Sequence, residues 1–549
     1  MKSTGRALPD REMVRALART LARSRMWADI APASAPGAVR AAVQHGVNIR
    51  SAHRIQARLH PFRTALVDER YSYTYQQLDH VIDRVASALR MKLRLRPGDS
   101  ILLATENCAP ALVIWFAAFR AGIRVAHASF ESTEPELRYL AQKANARCIV
   151  SSTISRANAG VVARERGIPR LDVDPGDPDR DVVPYDQVTM HPLVRLPATT
   201  SAAANVVFTS GTTGKPKGAV RDFSRMGLVE ASGILEQLPL QAGERHLTVA
   251  RLYHAAAQAM ILMVTSLGGT NIVCRRFDGA SVLAQMHHER ITSTFMVPTM
   301  IQRLVDLPEE SFRRHPVRLH MLLSGAAPFP HALRMQAIRR FGVGAVHDFY
   351  GATELGWVTT VSGHDMILRP GTIGRPITGQ HVRIVDQATG RTLPTGEVGT
   401  LYVRGAQNME GYIDVADDSI DGWLTVDDLA RQDKDGYLYL GGRTRDMIIS
   451  GGINVYPIEV EQVLTSIPGV HDASVVGLPD PAWGEKVVAF VVTDLDDQTL
   501  NQACRASLSG AKRPRLWVRL PELPRNPTGK VLKTALRELL QESHGTSDP

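Results

Sequence analysis

From Thr64 onward the chain alternates short apolar runs with stretches of helical periodicity. Ala65-Leu-Val opens the body, and the run Val81 to Leu89 repeats apolar residues at helical spacing before Pro97-Gly98-Asp99 breaks it. Ser100-Ile-Leu-Leu-Ala104 then reads as a buried strand. It is followed by a helix over Ala109 to Ala121, a strand over Ile123 to Ala126, a helix over Glu134 to Ala144 and a strand over Arg147 to Ser151. This βα alternation predicts a largely parallel sheet. Residues 155 to 204 are rich in Pro, Asp, Gly and Ala and read as a loop-rich connection, after which a second alternating unit runs from Val206 to about Phe349. Between Gly371 and Arg431 short β segments cut by Gly, Pro and Asp suit a small barrel or distorted sheet, and the last hundred or so residues read as α+β.

Length and charge refine this picture. A chain of 549 residues exceeds one ordinary core, so a large layered body and a smaller domain are expected. Hydrophobic residues make up 44% and charged residues 22%, and no run of about 18 apolar residues occurs, which excludes a plain membrane span. Cys108, Cys148, Cys274 and Cys504 stand singly, without the paired spacing of zinc sites or disulfide frameworks, and suit buried thiols in a reducing cytosol. The net charge of +9 is concentrated at the start, where residues 1–60 hold eleven Lys or Arg against three acids. Arg11, Arg15, Arg19 and Arg23 recur at helical spacing opposite Met13, Leu17 and Leu21. Such an amphipathic helix either packs its apolar stripe on the body or lies on an anionic membrane through residues 11–26. The flanking acids Asp10 and Glu12 and the missing apolar core of a signal peptide exclude secretion by that route. A cytoplasmic location is expected, with peripheral contact at the inner face of the membrane as the alternative and no nucleic-acid partner.

The densest chemical signal is Phe208-Thr-Ser-Gly-Thr-Thr-Gly-Lys-Pro-Lys-Gly218, directly after the apolar run that begins at Asn205. Its glycines let backbone N–H groups approach anionic oxygens, its hydroxyls add donors, and Lys215 and Lys217 add positive charge. It is not a Walker loop, because Gly211 and Gly214 bracket only two residues and Lys215 precedes Pro216. Tyr350-Gly-Ala-Thr-Glu354 places an aromatic face, a hydroxyl and a carboxylate on one loop, and Leu323-Ser-Gly-Ala-Ala-Pro328 gives small residues after a strand. Gly422 to Ala430, Gly442 to Asn454 and Pro524 to Lys530 complete an ordered series.

In that order and spacing the chain resembles, over about residues 60–540, the adenylate-forming (AMP-binding) superfamily, most closely its bacterial fatty acyl-CoA synthetases. The resemblance implies an α/β fold. Its large N-terminal domain has two βα-layered subdomains plus a small β-barrel, and a small mobile α+β C-terminal domain follows. The implied divisions are a basic amphipathic extension over 1–60, an AMP-binding catalytic domain over 61–445 and a C-terminal lid over 446–549. Thr209, Ser210, Gly211, Thr212, Thr213, Gly214, Lys215 and Lys217 match the phosphate loop. Gly325, Ala326 and Ala327 match the adenine shelf, Tyr350 the residue packing on the base, and Asp348 a partner for the exocyclic amine. Thr353 and Glu354 match the α-phosphate contact and the Mg2+ ligand, Asp428 the ribose-binding aspartate and Arg443 its companion. Asp446 matches the hinge, Gly451 and Gly452 the turn lining the coenzyme A tunnel, and Lys530 the lysine bridging carboxylate and nucleotide during adenylation.

Two departures from the family stand out. Val426-Asp-Asp428 replaces the usual Thr-Gly-Asp, which predicts a shifted or doubled ribose carboxylate, and Arg251-Leu-Tyr-His254 begins with arginine instead of proline. His254 aligns with the position flanking the acyl pocket and reads equally as a gate or as a core histidine.

The implied reaction uses ATP, Mg2+ and coenzyme A: a carboxylic acid becomes an acyl-adenylate, then a thioester. No acid follows His254 until Asp278, so an ammonium group would go unpaired and a medium- or long-chain fatty acid is favoured over an amino acid. Alternatives are a fatty acyl-AMP ligase serving a carrier protein, an aryl-CoA ligase and, in a different class, a non-catalytic nucleotide-binding regulator. His288-Glu-Arg-Ile-Thr292 lacks the second histidine of a zinc hydrolase.

Overall fold

The computed structural model describes residues 15, 19–20, 22–24, 35–45, 51–177, 179, 181–194, 196, 204–209, 216–221, 228–405, 407–413, 419, 421–443, 446–450, 453–481, 483–526 and 529–545. Its strands form three sheets. In the first, Asn205–Thr209, Arg124–His127, Ser100–Ala104, Ala146–Ser151, Arg170–Asp172 and Val182–Pro184 lie side by side, all parallel. Lys217–Arg221 and Gly411–Tyr412 extend this sheet antiparallel at its other edge. Helix Ala109–Ala121 is almost wholly buried beside it, with Trp115, Phe116 and Phe119 in the main core and Gly122 ending it in the left-handed conformation.

Chain order and sheet membership part company. Asn205–Thr209, expected to open the second unit, belongs to the first sheet, whereas Thr64–Val67 and Ser72–Thr74, from the start of the body, form one edge of the second. Local periodicity identifies a strand but carries no information about its neighbours, which non-local packing selects. The stretch expected to be a loop-rich connection also contains helix Arg156–Arg166 and strands Arg170–Asp172 and Val182–Pro184. These strands are three residues each, too short to show alternation.

The second sheet runs, in parallel pairing, from Thr64–Val67 through Thr270–Val273, Arg245–Thr248, Ser293–Phe295 and Met321–Ser324 to Val346–Ala352. Gly356–Ser362 then pairs antiparallel with Val346–Ala352 and leads through Thr372–Pro376 into Leu438–Arg443, Asp428–Gln432, Gly399–Gly405 and Gln380–Val385. The predicted small β unit, read from sequence as a small barrel or distorted sheet, is an antiparallel continuation of the second sheet among the described residues. Gly374 sits at the join, with φ +93° and no room for a Cβ against the Thr360 carbonyl. The third sheet, residues 448–519, carries Ile448–Ser450, Ile453–Val455, Val470–Asp480, Gly484–Thr493 and Leu516–Arg519 with its own core.

Ion pairs lace the first two sheets. Arg275, just past Thr270–Val273, reaches Glu106 (3.2 Å) and Asp174 (2.9 Å), and Arg276 reaches Glu106 (3.3 Å). Burial pushes the Asp174 carboxyl up, but hydrogen bonds from Arg275 and Thr153 together carry it well below the usual carboxylate range.

In the basic N-terminal segment, Arg54 pairs with Asp83 (2.6 Å). Arg19 pairs with Glu236, Arg23 donates to the Glu236 carbonyl (2.9 Å), and Thr20 donates to the Ser232 carbonyl (3.2 Å). Arg19 and Arg23 of the predicted stripe thus turn towards the body, while Arg11, Met13, Leu17 and Leu21 lie outside the described residues. Among the described residues no helix is long and apolar enough to cross a membrane.

The residue before Asp428 explains the family's glycine: Asp427 has φ +61°, and its N–H donates to Thr425 Oγ1 (3.0 Å). Aspartate tolerates this left-handed conformation better than most residues but less well than glycine. Asp427→Gly is expected to stabilise the chain by about 0.5–1 kcal/mol, read as a higher thermal midpoint. Arg275→Met should cost about 2 kcal/mol by removing one of two arginine partners from each carboxylate, Asp174 keeping Arg70 and Glu106 keeping Arg276. Because the Asp174 carboxyl is held low in the folded chain, that contribution is present at neutral pH and fades as pH falls below the ordinary carboxylate range. Denaturation midpoints of wild type and variant should converge in acid.

Candidate active site

The parallel strands of the second sheet end along one edge, and the strand ends and loops there carry several of the predicted residues. On Met321–Ser324 and Val346–Ala352, Ser324 lies in register with Asp348. Gly325 has no room for a side chain because the Phe349 ring occupies the space. Ala326 follows with φ +67° and is exposed, and Ala327 is half-buried, so this turn presents backbone where a planar base can approach. Phe349 stacks on Trp357 (4.1 Å between centroids), which fixes the floor beneath the turn.

Tyr350 and Asp428 come from strands far apart in the chain. The Tyr350 hydroxyl donates to Asp428 Oδ2 (2.6 Å), and Arg443 Nε donates to Asp428 Oδ1 (3.0 Å). Asp428 and Arg443 are cross-strand partners, so ladder register delivers the pair. Burial, then the neighbouring carboxylate, pushes the tyrosine hydroxyl well above its ordinary range, so it remains a donor. The substitution at Asp427 leaves Asp428 on both partners, with Asp427 itself exposed.

Asp348 is buried and paired with Arg334 (3.0 Å), and burial pushes its carboxyl up to about 6 against the pull of the guanidinium. Thr353 and Glu354 sit half-buried on the following turn. Glu354 Oε1 accepts from the Tyr412 hydroxyl (2.9 Å), and Lys217 Nζ lies 5.3 Å from the Tyr412 ring centroid. Through Tyr412 the strand leaving the predicted phosphate loop meets the Glu354 turn across the junction of the two sheets. Arg221, on that strand, feels Glu354 as well; burial lowers it to about 10, still a cation at neutral pH. Of the predicted phosphate loop, Ser210, Gly211, Thr212, Thr213, Gly214 and Lys215 lie outside the described residues, and Thr209 is described by its backbone only.

His254 stands at the N-cap position of helix Ala255–Ser266 without a side-chain capping bond, and its ring lies tilted against Tyr253 (4.3 Å between centroids). Its Nε2 is shielded and has no hydrogen-bond partner among the described residues, and burial, with Arg251 adding, lowers it to about 4, so the ring is neutral. The turn before it is clamped by two buried amides. Asn107 donates to the Ala250 carbonyl (3.0 Å) and accepts from Leu252 N–H (2.9 Å), while Gln258 donates to the Leu252 carbonyl (2.8 Å). Asn205 in turn holds Gln258 (2.8 Å).

From the C-terminal unit, the turn carrying Lys530 reaches the second sheet: a Cβ on Gly529 would lie 3.1 Å from Thr299 Oγ1, on the helix that follows Ser293–Phe295. Lys530 N–H donates to Asn526 Oδ1 (2.9 Å), and the residue is exposed. Asp446 pairs at 3.6 Å with Arg537, within the same unit. Gly451 and Gly452 lie outside the described residues. Sequence reasoning missed Tyr412, Arg221 and Arg334. Single residues on unremarkable strands and helices, they gain meaning only from long-range contacts. It also missed a cavity of about 550 Å³ in the C-terminal unit, lined by Trp483, Asn501, Arg505, Arg513 and Arg515. Arg515 stacks at 3.6 Å over Trp483.

Comparison with known proteins identifies the family. Residues 54–413 match the model of the AMP-binding enzyme family, and 459–530 match that of the AMP-binding enzyme C-terminal domain. A feruloyl-CoA synthase of an Amycolatopsis species is 33% identical over 498 residues, 88% of this chain and 97% of that protein. A long-chain fatty acid–CoA ligase of Mycobacterium tuberculosis is 28% identical over 510 residues, 90% of this chain and 98% of that protein. The structure of an amide bond synthetase from Marinactinospora thermotolerans superposes with a TM-score of 0.80 at 26% identity, covering 89% of this chain and 99% of that one. The family-model matches, together with the relative at one-third identity, show that the chain belongs to the AMP-binding family of adenylate-forming enzymes.

Proposed function

We propose that the chain activates an apolar carboxylic acid with ATP and Mg2+ as an acyl-adenylate and transfers the acyl group to coenzyme A. The observation that carries this reading is the meeting of Tyr350, Asp428 and Arg443 beside the Gly325 shelf, with the Lys530 turn seated on Thr299 along the same strand ends.

Each side chain then has a task. Gly325, Ala326 and Ala327 carry the adenine with Tyr350, Asp348 accepts from its amine, and Asp428, oriented by Tyr350 and Arg443, accepts the ribose hydroxyls. Residues 209–217 hold the terminal phosphates. Glu354 would offer Mg2+ a hard carboxylate oxygen, and the ion would neutralise phosphate charge. Thr353 donates to the α-phosphate, and Lys530 brings the acid's carboxylate and the nucleotide together, offsetting the repulsion of two anions. The acid's carboxylate oxygen bonds to the α-phosphorus, and pyrophosphate leaves. In the second half-reaction the thiol sulfur attacks the acyl carbon, AMP leaves, and the thiol proton passes to solvent. We place the boundary of the mobile C-terminal unit at Asp446, with Gly451 and Gly452 lining the thiol's path.

Coenzyme A as acceptor is supported by similarity to relatives named as CoA ligases, among them the feruloyl-CoA synthase and the long-chain fatty acid–CoA ligase. For the acid, helix Ala255–Ser266 after His254 holds no carboxylate, and Asp278 is spent capping the next helix at Ser281 N–H. An ammonium group would find no partner there. We favour a medium- or long-chain fatty acid; an aryl acid is the second reading, favoured by similarity to the feruloyl-CoA synthase. Membrane contact through residues 11–26 rests on charge pattern alone, because Arg19 and Arg23 reach Glu236.

Pyrophosphate release across fatty, aryl and amino acids, with and without coenzyme A, tests the reading. Release with apolar acids and thioester only with coenzyme A is expected; robust release with free amino acids contradicts it. Lys530→Ala should lower adenylation by roughly 10²–10³ while sparing thioester formation from synthetic acyl-adenylate. Equal loss in both half-reactions argues against two conformations.

A further inference from the structure

Asp348 does not stand alone. Helix His331–Phe341 sends Arg334 into the interior, where Nη2 donates to Asp348 Oδ2 (3.0 Å) and Nη1 to the Thr372 carbonyl (3.0 Å). The two side chains are 7% and 8% exposed. The other carboxylate oxygen, Oδ1, is shielded from solvent and meets no hydrogen-bond partner within bonding distance among the described residues, and neither does the hydroxyl of Ser324 beside it on the adjacent strand. A buried carboxylate with one oxygen unmatched costs free energy, and such orphaned groups mark places where a ligand completes the bonding. The donor that matches a lone carboxylate oxygen here is an N–H. Burial by itself drives Asp348 towards the protonated acid, whose hydroxyl would donate and no longer accept; Arg334 is the charge that opposes this, with the Phe349 backbone N–H adding to it.

We propose that Arg334 is a positioning residue for nucleotide selection: by fixing Asp348 as an oriented carboxylate it leaves Oδ1 to accept the 6-amino group of adenine, so the site rejects purines with a 6-oxo group. This rests on the adenylation reading of the site. The Arg334–Thr372 bond ties the same guanidinium to Thr372–Pro376, the second strand of the antiparallel half of the sheet, so the carboxylate is aimed by both halves at once. A carbonyl presented to Oδ1 would bring two acceptors together with no proton between them, which is the repulsive element that discrimination needs.

The test compares equilibrium binding of ATP and of inosine triphosphate to the full chain by calorimetry, in wild type, Arg334→Met, Asp348→Asn and the double variant, with thermal midpoints alongside. Wild type should prefer ATP by on the order of tenfold or more. Arg334→Met should lose most of that ratio, and the double variant should recover it, because an asparagine carbonyl accepts the same N–H and needs no counter-charge. A merely structural arginine would lower the thermal midpoint and leave the ratio unchanged. An unchanged ratio in Arg334→Met overturns the proposal, as does a double variant that folds and binds ATP without regaining the preference. If Arg334→Met fails to fold, the double variant, which strands no buried carboxylate, decides the matter by the same ratio. Failure of the wild type to bind ATP would instead overturn the adenylation reading.

Discussion

The site depends on a change of direction within one sheet. Strands up to Val346–Ala352 run parallel, which gathers their loops at one edge, and Gly356–Ser362 then turns back antiparallel. From there the sheet continues without a break to Asp428–Gln432 and Leu438–Arg443. The hydrogen bond from Tyr350 to Asp428 spans that reversal. Parallel strands alone would give a shelf for a base, and antiparallel strands alone a carboxylate held by an arginine; their union in one hydrogen-bonded surface sets the two at a fixed distance. Glycines at the reversal and at the join, Gly351 and Gly374, allow backbones to approach where a Cβ would collide with a carbonyl.

Much of this was legible from local pattern. Helix Ala109–Ala121 is found with the bounds read from its apolar run, because a helix hydrophobic on every side, flanked by Pro and Gly, has few competing descriptions. Glu134–Lys143 and Ala146–Ser151 shift by a residue or so from expectation. The ordered motifs led to the family and to the residues that now share one edge. What stayed hidden was non-local. The membership of Asn205–Thr209 and Thr64–Val67 in their sheets is decided by which parallel neighbour buries them. The arginine stripe at the N-terminus was read as a solvated or lipid-facing surface, yet Arg19 and Arg23 find Glu236, more than two hundred residues away.

Asp427 shows how a departure from a family pattern is best weighed. From sequence, an extra carboxylate next to Asp428 implied a displaced ribose contact. In the structure position 427 takes a left-handed backbone conformation that suits glycine, so the replacement bears on conformational strain while Asp428 keeps both partners.

The clamp on the turn before His254 also settles how that region can respond to a bound molecule. With Ala250, Leu252 and their amide partners satisfied from three directions, the backbone there is ordered before anything arrives, and little conformational entropy remains to be lost on association. A rim of that kind does not mould itself around its guest. Differences in affinity among molecules resting on His254 should then follow the volume and shape of the side chains they meet, and altering those side chains is a more direct route to a new preference than loosening the turn.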